Sequence, residues 1–288
     1  MNVSFTRKSL GAFALLTACA LALYFVPAQF VGNKSEATRP RLTTMSPGDV
    51  ERVHLLPGSI VLAGGTFIDP IAEEFLRLAG GSHARLVIIP TAYGPTEEEG
   101  VDQFHDLWSR WKPASVEILH TRDQATANNP DFTAPLRRAT GVWFTGGKQV
   151  RLIDVYAGTL VHKELHNVLQ RGGAIGSNCA GAMALGELMI LGGKDPVITR
   201  RGFGIVPRLI VDSHFLERNR IERLRGLIEE HSDHFGIGID PQTAVILEKG
   251  LLRVIGKSYV VTLVHGEGVR VEAGAPGDEV EFKSLFEP

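Results

Sequence analysis

Residues 176–182 read Gly-Ser-Asn-Cys-Ala-Gly-Ala, with small residues two places either side of a potential nucleophile, Cys179. The apolar pair Ala174-Ile175 leads in, and the helical spacing of Met183-Ala184-Leu185-Gly186-Glu187-Leu188 leads out. A sharp strand-to-helix turn of this kind projects a nucleophile over the strand end and tolerates only small neighbours, a condition that Ser177 and Gly181 meet. It also leaves the Ala180 amide, at a helix N-terminus, facing any oxyanion that forms beside the sulfur. The same seven residues equally describe a plain turn around a small buried hydrophobe.

Two further segments give the chemical interpretation its partners. Thr145-Gly146-Gly147-Lys148-Gln149 follows another apolar strand, so in a parallel sheet the Gly147 amide opens on the same carboxyl edge as Cys179 and is a second oxyanion donor. Asp212-Ser213-His214-Phe215 follows Leu209-Ile210-Val211 and places a histidine at a third strand end. Thiolate attack needs a base that titrates near neutrality, and His214 has the best context of the ten histidines. No histidine has metal-ligand spacing with a cysteine, so neither a metal nor a cofactor is expected.

These residues require elements to hold them. Ser59-Ile60-Val61-Leu62, Arg85 to Pro90, Val116 to Leu119 and Gly141 to Phe144 are short apolar runs that predict strands. Ile71 to Leu78, Glu97 to Trp111 and Leu160 to Leu169 have helical spacing between them. The alternation predicts an α/β domain with a doubly wound, mostly parallel sheet covered on both faces. Beyond Gly236, the runs Thr243–Glu248, Leu251–Ile255 and Tyr259–Val264 predict added antiparallel hairpins.

The chain has 288 residues, 44% hydrophobic and 22% charged, with a net charge of -2. That balance suits one globular domain and offers no basic excess for a nucleic acid. Arg7 and Lys8 precede an apolar run from Leu10 to Val26, which predicts export to the periplasm or beyond. Cleavage after Ala28, lipidation at Cys19 within Leu16-Thr17-Ala18-Cys19, and retention as a membrane anchor are the three expected fates. Residues 1–31 form this segment, 32–48 a polar linker, and 49–288 the domain. Of two cysteines only Cys179 lies in that domain, so no internal disulfide is expected there. A homodimer is compatible with all of this.

At these motifs the chain resembles peptidase family S51, the cyanophycinases and aspartyl dipeptidases, whose fold is similar to class I glutamine amidotransferases. The family's Thr-Gly-Gly-Asp-Gln, Gly-Thr-Ser-Ala-Gly-Ala and Asp-Gln-His-Phe segments correspond to residues 145–149, 177–182 and 212–215 here. The resemblance spans roughly Gly58 to Val264. It implies that Cys179 stands at the serine nucleophile and His214 at the general base. It further implies that Gln149, Asp212, Arg218, Arg220 and Arg223 line or shape the site for a peptide substrate. Cyanophycinases cleave a polymer of β-linked Asp-Arg units, and guanidinium groups pair well with aspartyl carboxylates. Arginines so spaced on a helix also commonly form a solvated face.

The chain departs from the family pattern in two places. Cysteine replaces serine, and Gly238-Ile239-Asp240-Pro241 has proline where the family carries the acid that orients the histidine. A thiol and an imidazole ionise in neighbouring pH ranges, so a Cys-His pair can work without a third member, and Asp240 is the nearest substitute. The expectation is an exported Cys-His peptidase acting on peptide or β-aspartyl bonds. The alternatives are a degenerate relative that binds an aspartyl or arginyl peptide without turnover, and an amidotransferase-like use of Cys179, for which no synthetase domain is present.

Overall fold

The computed structural model describes residues 57–94 and 102–283. The expected targeting segment and linker lie outside the described residues, as does the start of the Glu97–Trp111 stretch. The chain runs β1 (Ser59–Ala63), α1 (Asp69–Leu78), β2 (Arg85–Ile89), α2 (Asp102–Ser109), β3 (Ser115–Ile118), α3 (Gln124–Ala127), α4 (Ala134–Arg138) and β4 (Gly141–Phe144). It continues with α5 (Gln149–Tyr156), α6 (Leu160–Gln170), β5 (Ala174–Asn178), α7 (Ala180–Leu185), β6 (Gly186–Gly192), β7 (Ile198–Arg201) and β8 (Val206–Ser213). Last come α8 (Ile221–Glu230), β9 (Phe235–Ile239), β10 (Thr243–Glu248), β11 (Leu251–Gly256), β12 (Val260–His265), β13 (Val269–Gly274) and β14 (Glu279–Glu281).

A mixed α/β architecture results, with two sheets. In the larger one, five strands run parallel in the order β3-β2-β4-β5-β1, and β10, β11 and β14 extend it antiparallel beyond β1. Strand β1 is buried throughout because both its faces are covered, which is why it reads as an unbroken apolar run. Ile60 and Leu62 join one apolar cluster with Leu152 of α5 and Leu165 of α6, while Val61 and Ala63 join another with Ile71 and Phe75 of α1 and Trp108 of α2. Pro70 sits in the first turn of α1, where its missing N–H costs nothing.

The second sheet has the order β13-β12-β9-β8-β6-β7, with β8 parallel to both β6 and β9. It corrects the expectation of one sheet, since an apolar strand pattern does not say which neighbour the strand will pair with. The helical expectation for Met183–Leu188 is corrected too. Helix α7 stops at Leu185 and the chain enters β6 at Gly186. Pairing of Leu188 and Met189 with Ile210 and Val211 of β8 buries Met189 and Ile190 completely and outweighs local helix spacing.

Candidate active site

Strands β1, β4 and β5 of the large sheet end at Ala63, Phe144 and Asn178, and β8 of the second sheet ends at Ser213. The residues that follow these ends meet. Cys179 occupies the turn between β5 and α7 with φ 50° and ψ -113°, a conformation costly for any residue with a Cβ. Its N–H donates to the Ala63 carbonyl at 2.9 Å and its carbonyl accepts from Met183 at 3.1 Å, so both flanks fix the turn. A Cβ at position 181 would lie 2.8 Å from the Phe144 carbonyl oxygen, so only glycine lets α7 approach β4 this closely. Ser177 is fully buried and donates to the Val61 carbonyl at 3.2 Å.

His214, also at positive φ (51°), donates its N–H to the Gly64 carbonyl at 3.0 Å, which ties the end of β8 to the end of β1. Its Nε2 lies 3.5 Å from Cys179 Sγ, and its Nδ1 lies 2.6 Å from Glu217 Oε2. The carboxylate therefore stands opposite the sulfur across one imidazole. Glu217 was missed in the sequence, where the acid was sought near Asp240; a tight turn after a left-handed His214 brings the residue three places on back to the ring. Asp240 is not the substitute acid. One of its oxygens accepts the Leu216 and Glu217 amides at 2.8 and 3.0 Å, and the other accepts the Ser258 hydroxyl at 3.0 Å, so it caps the turn that carries both His214 and Glu217. Ser213, buried beneath the pair, has its Oγ 3.9 Å from Cys179 Sγ and 3.1 Å from Met183 Sδ.

The Ala180 amide is the first of α7, one of those a helix leaves without an internal partner. Gly147 lies at φ +140°, where a Cβ would meet the Ala92 carbonyl oxygen at 2.1 Å. Gly146 and Gly147 line a cavity of about 600 Å³ together with Cys179 and His214. The rest of its lining is largely aromatic, from Phe67, Tyr93, Phe104, Trp108, Trp111 and Trp143. The Trp143 indole N–H donates to the Asn178 side-chain oxygen at 3.1 Å, which joins that wall to the turn bearing Cys179.

The other expected site residues do not face this cavity. Asp212 is fully buried and paired: Arg223 Nε donates to it at 2.8 Å, its Nη2 makes a second contact, and Arg220 donates at 3.1 Å. Burial pushes the Asp212 carboxyl up against the downward pull of Arg223 and Arg220. Arg220 also donates to the Ser213 carbonyl at 2.6 Å, so the cluster braces the residue before His214. Arg218 is exposed, and Gln149 donates to the Ile190 carbonyl at 2.7 Å. Asp212, Arg220 and Arg223 shape the site from behind, because desolvated charges must be paired and a paired guanidinium is not offered to a ligand.

Known proteins share the sequence and the fold. The sequence profile of peptidase family S51 matches residues 55–255. A cyanophycinase of Geminocystis herdmanii is 32% identical over 208 residues, covering 69% of this chain and 76% of the relative. One of Synechococcus elongatus is 36% identical over 225 residues, covering 75% and 69%. The crystal structure of a peptidase from an acI-B1 actinobacterium shares the fold, with a TM-score of 0.65 at 23% identity, covering 80% of this chain and 98% of that one. By profile and by relatives, the chain belongs to peptidase family S51 and is a hydrolase of peptide bonds.

Proposed function

We propose that the chain is a cysteine-dependent member of the family, in which Cys179 is the nucleophile, His214 the base and Glu217 the residue that orients it. The observation that carries this is the run of contacts from Sγ through Nε2 and Nδ1 to the Glu217 carboxylate, at 3.5 and 2.6 Å. With Nδ1–H donated to Glu217, Nε2 is free to accept the thiol proton. The thiolate attacks the amide carbonyl, and the developing oxyanion is held by the amides of Ala180 and Gly147. His214 passes its proton to the leaving amine, the C–N bond breaks, and a thioester remains. A water molecule, deprotonated by His214, cleaves the thioester and restores the thiol.

Glu217 favours turnover over a degenerate binder, since the acid replaced by Pro241 has a counterpart in the carboxylate on His214 Nδ1. The relatives bear the name cyanophycinase, and the substrate proposed here is a peptide, with β-aspartyl linkages included. Residues 1–31 are proposed to direct export, through cleavage, lipidation at Cys19 or retention as an anchor.

A panel of cyanophycin, β-aspartyl dipeptides and ordinary dipeptides, offered to the parent and to Cys179→Ala, tests the proposal. The parent is expected to hydrolyse at least one member and to become acylated at Cys179 by mass spectrometry, and Cys179→Ala to do neither. Equal inertness of both proteins on the whole panel sinks it.

A further inference from the structure

We propose that Asn178, the residue before the nucleophile, determines specificity: its side-chain amide donates to the α-carboxylate of a β-linked aspartyl residue while the scissile carbonyl lies at Cys179. The proposal rests on the Cys179 peptidase reading and names, within it, the substrate group that one side chain recognises.

Asn178 is the last residue of β5 and pairs with Ala63, the last of β1. Half-buried, it lines the cavity beside Cys179. Its one side-chain partner fixes which way the amide is turned. An indole N–H can only donate, so the atom 3.1 Å from Trp143 Nε1 is the amide oxygen, and Nδ2 with its two N–H bonds is turned away from that ring. Trp143 is fully buried against Phe67, Phe75 and Trp108, so the ring that holds the oxygen is itself held. Among the described residues Nδ2 donates to no group.

The place of Nδ2 follows from its neighbour Gly146. A Cβ on that glycine would lie 3.1 Å from Asn178 Nδ2 and 3.2 Å from Cys179 Cβ, so both atoms border the small space that the glycine leaves open. Substrate atoms next to a carbonyl under attack by the sulfur fall in this space or at its edge. In a β-linked aspartyl residue those atoms are a methylene and then the carbon that bears the α-carboxylate, which accepts hydrogen bonds through two oxygens. A β-alanyl residue has the same atoms without the carboxylate. A donor whose orientation is already fixed loses little freedom on binding, and its hydrogen bond to a charged acceptor is of the stronger kind.

Protection of Cys179 from iodoacetamide tests this on the full chain, with alkylation followed by mass spectrometry. The protecting amino acids are L-aspartate and β-alanine, the acyl products of β-aspartyl and β-alanyl peptides, which differ by the α-carboxylate alone. Each rate is taken relative to the same protein without added amino acid. In the parent, aspartate is expected to protect at a concentration at least about tenfold lower than β-alanine, the factor that a hydrogen bond to a charged group supplies. In Asn178→Ala that advantage should fall toward one. Asn178→Asp keeps an oxygen for Trp143 and puts a carboxylate oxygen where the donor stood, so aspartate should protect less well than β-alanine. Equal protection by the two in the parent, protection by neither, or an aspartate advantage that survives both substitutions overturns the proposal. Failure of the peptidase reading looks different: aspartate still protects through Asn178 while no peptide is turned over.

Discussion

The carboxylate of Glu217 alters what the proline at 241 means for the histidine. In the sequence Pro241 stands where an acid is expected, and the pair Cys179–His214 stands alone. In the structure the imidazole has an acid on the same turn as itself, while Asp240 holds that turn by its amides. The two carboxylates should therefore separate experimentally. Glu217→Gln is expected to lower kcat about 10–100-fold with little change in KM, since it removes the orienting partner and not a substrate contact. Its cost in stability should stay within about 0.5 kcal/mol, because Glu217 is 54% exposed and such pairs are screened. Asp240→Asn should do the reverse, lowering stability by about 1–3 kcal/mol through the lost cap. Steady-state kinetics beside thermal unfolding distinguishes them, and an unchanged kcat in Glu217→Gln would remove that residue from the mechanism.

Among the elements, the turn from β5 into α7 shows how tightly the nucleophile is placed. Alanine at 181 would gain about 1 kcal/mol of helix propensity in isolation. Here its Cβ would lie 2.8 Å from the Phe144 carbonyl oxygen, and overpacking against backbone costs about 1–3 kcal/mol. Gly181→Ala should thus unfold at lower urea concentration than the parent and lose activity as the turn shifts; a stabilised variant would show that α7 does not need its close approach to β4. Much at this scale was legible in the sequence. The runs at residues 141–144 and 160–169 appear as β4 and α6 almost to the residue, because buried strands are continuous apolar segments and helices are periodic. Strand β6 was not legible, since Met183 to Leu188 keeps helical spacing and only its partner β8 makes it extended. Asp212, Arg220 and Arg223 are legible as a group that lines or shapes the site, but charge and spacing do not tell that the carboxylate is fully buried and binds both guanidiniums.

For the molecule as a whole, the response to acid follows from a histidine held neutral in the packing between α6 and the segment before β8. His162 Nδ1 accepts the Gly158 N–H at 3.2 Å, so the neutral ring donates from Nε2 to the Phe203 carbonyl at 2.9 Å. Burial lowers its pKa, His166 alongside lowers it further, and burial lowers that of His166 as well. A proton on Nδ1 would face the Gly158 N–H and break that bond. With folded values below the unfolded value of about 6.5, the unfolded chain binds more protons in the window beneath it. Stability from these groups is complete above pH 6.5 and declines as pH falls toward the folded values. Urea midpoints should drop between pH 7.5 and 5.5, and the slope should be shallower in His162→Gln; equal slopes would assign the acid response to other groups. Like the division into two sheets, this was not readable in the sequence, since it depends on which distant carbonyl the ring meets.

The chain has three tryptophans, and all three, Trp108, Trp111 and Trp143, stand in the wall of the cavity. Its intrinsic ultraviolet emission therefore originates beside the nucleophile. Ligand entry, acylation of Cys179 and release of product can each be followed in a stopped-flow instrument by that emission, without a dye, on the unmodified protein.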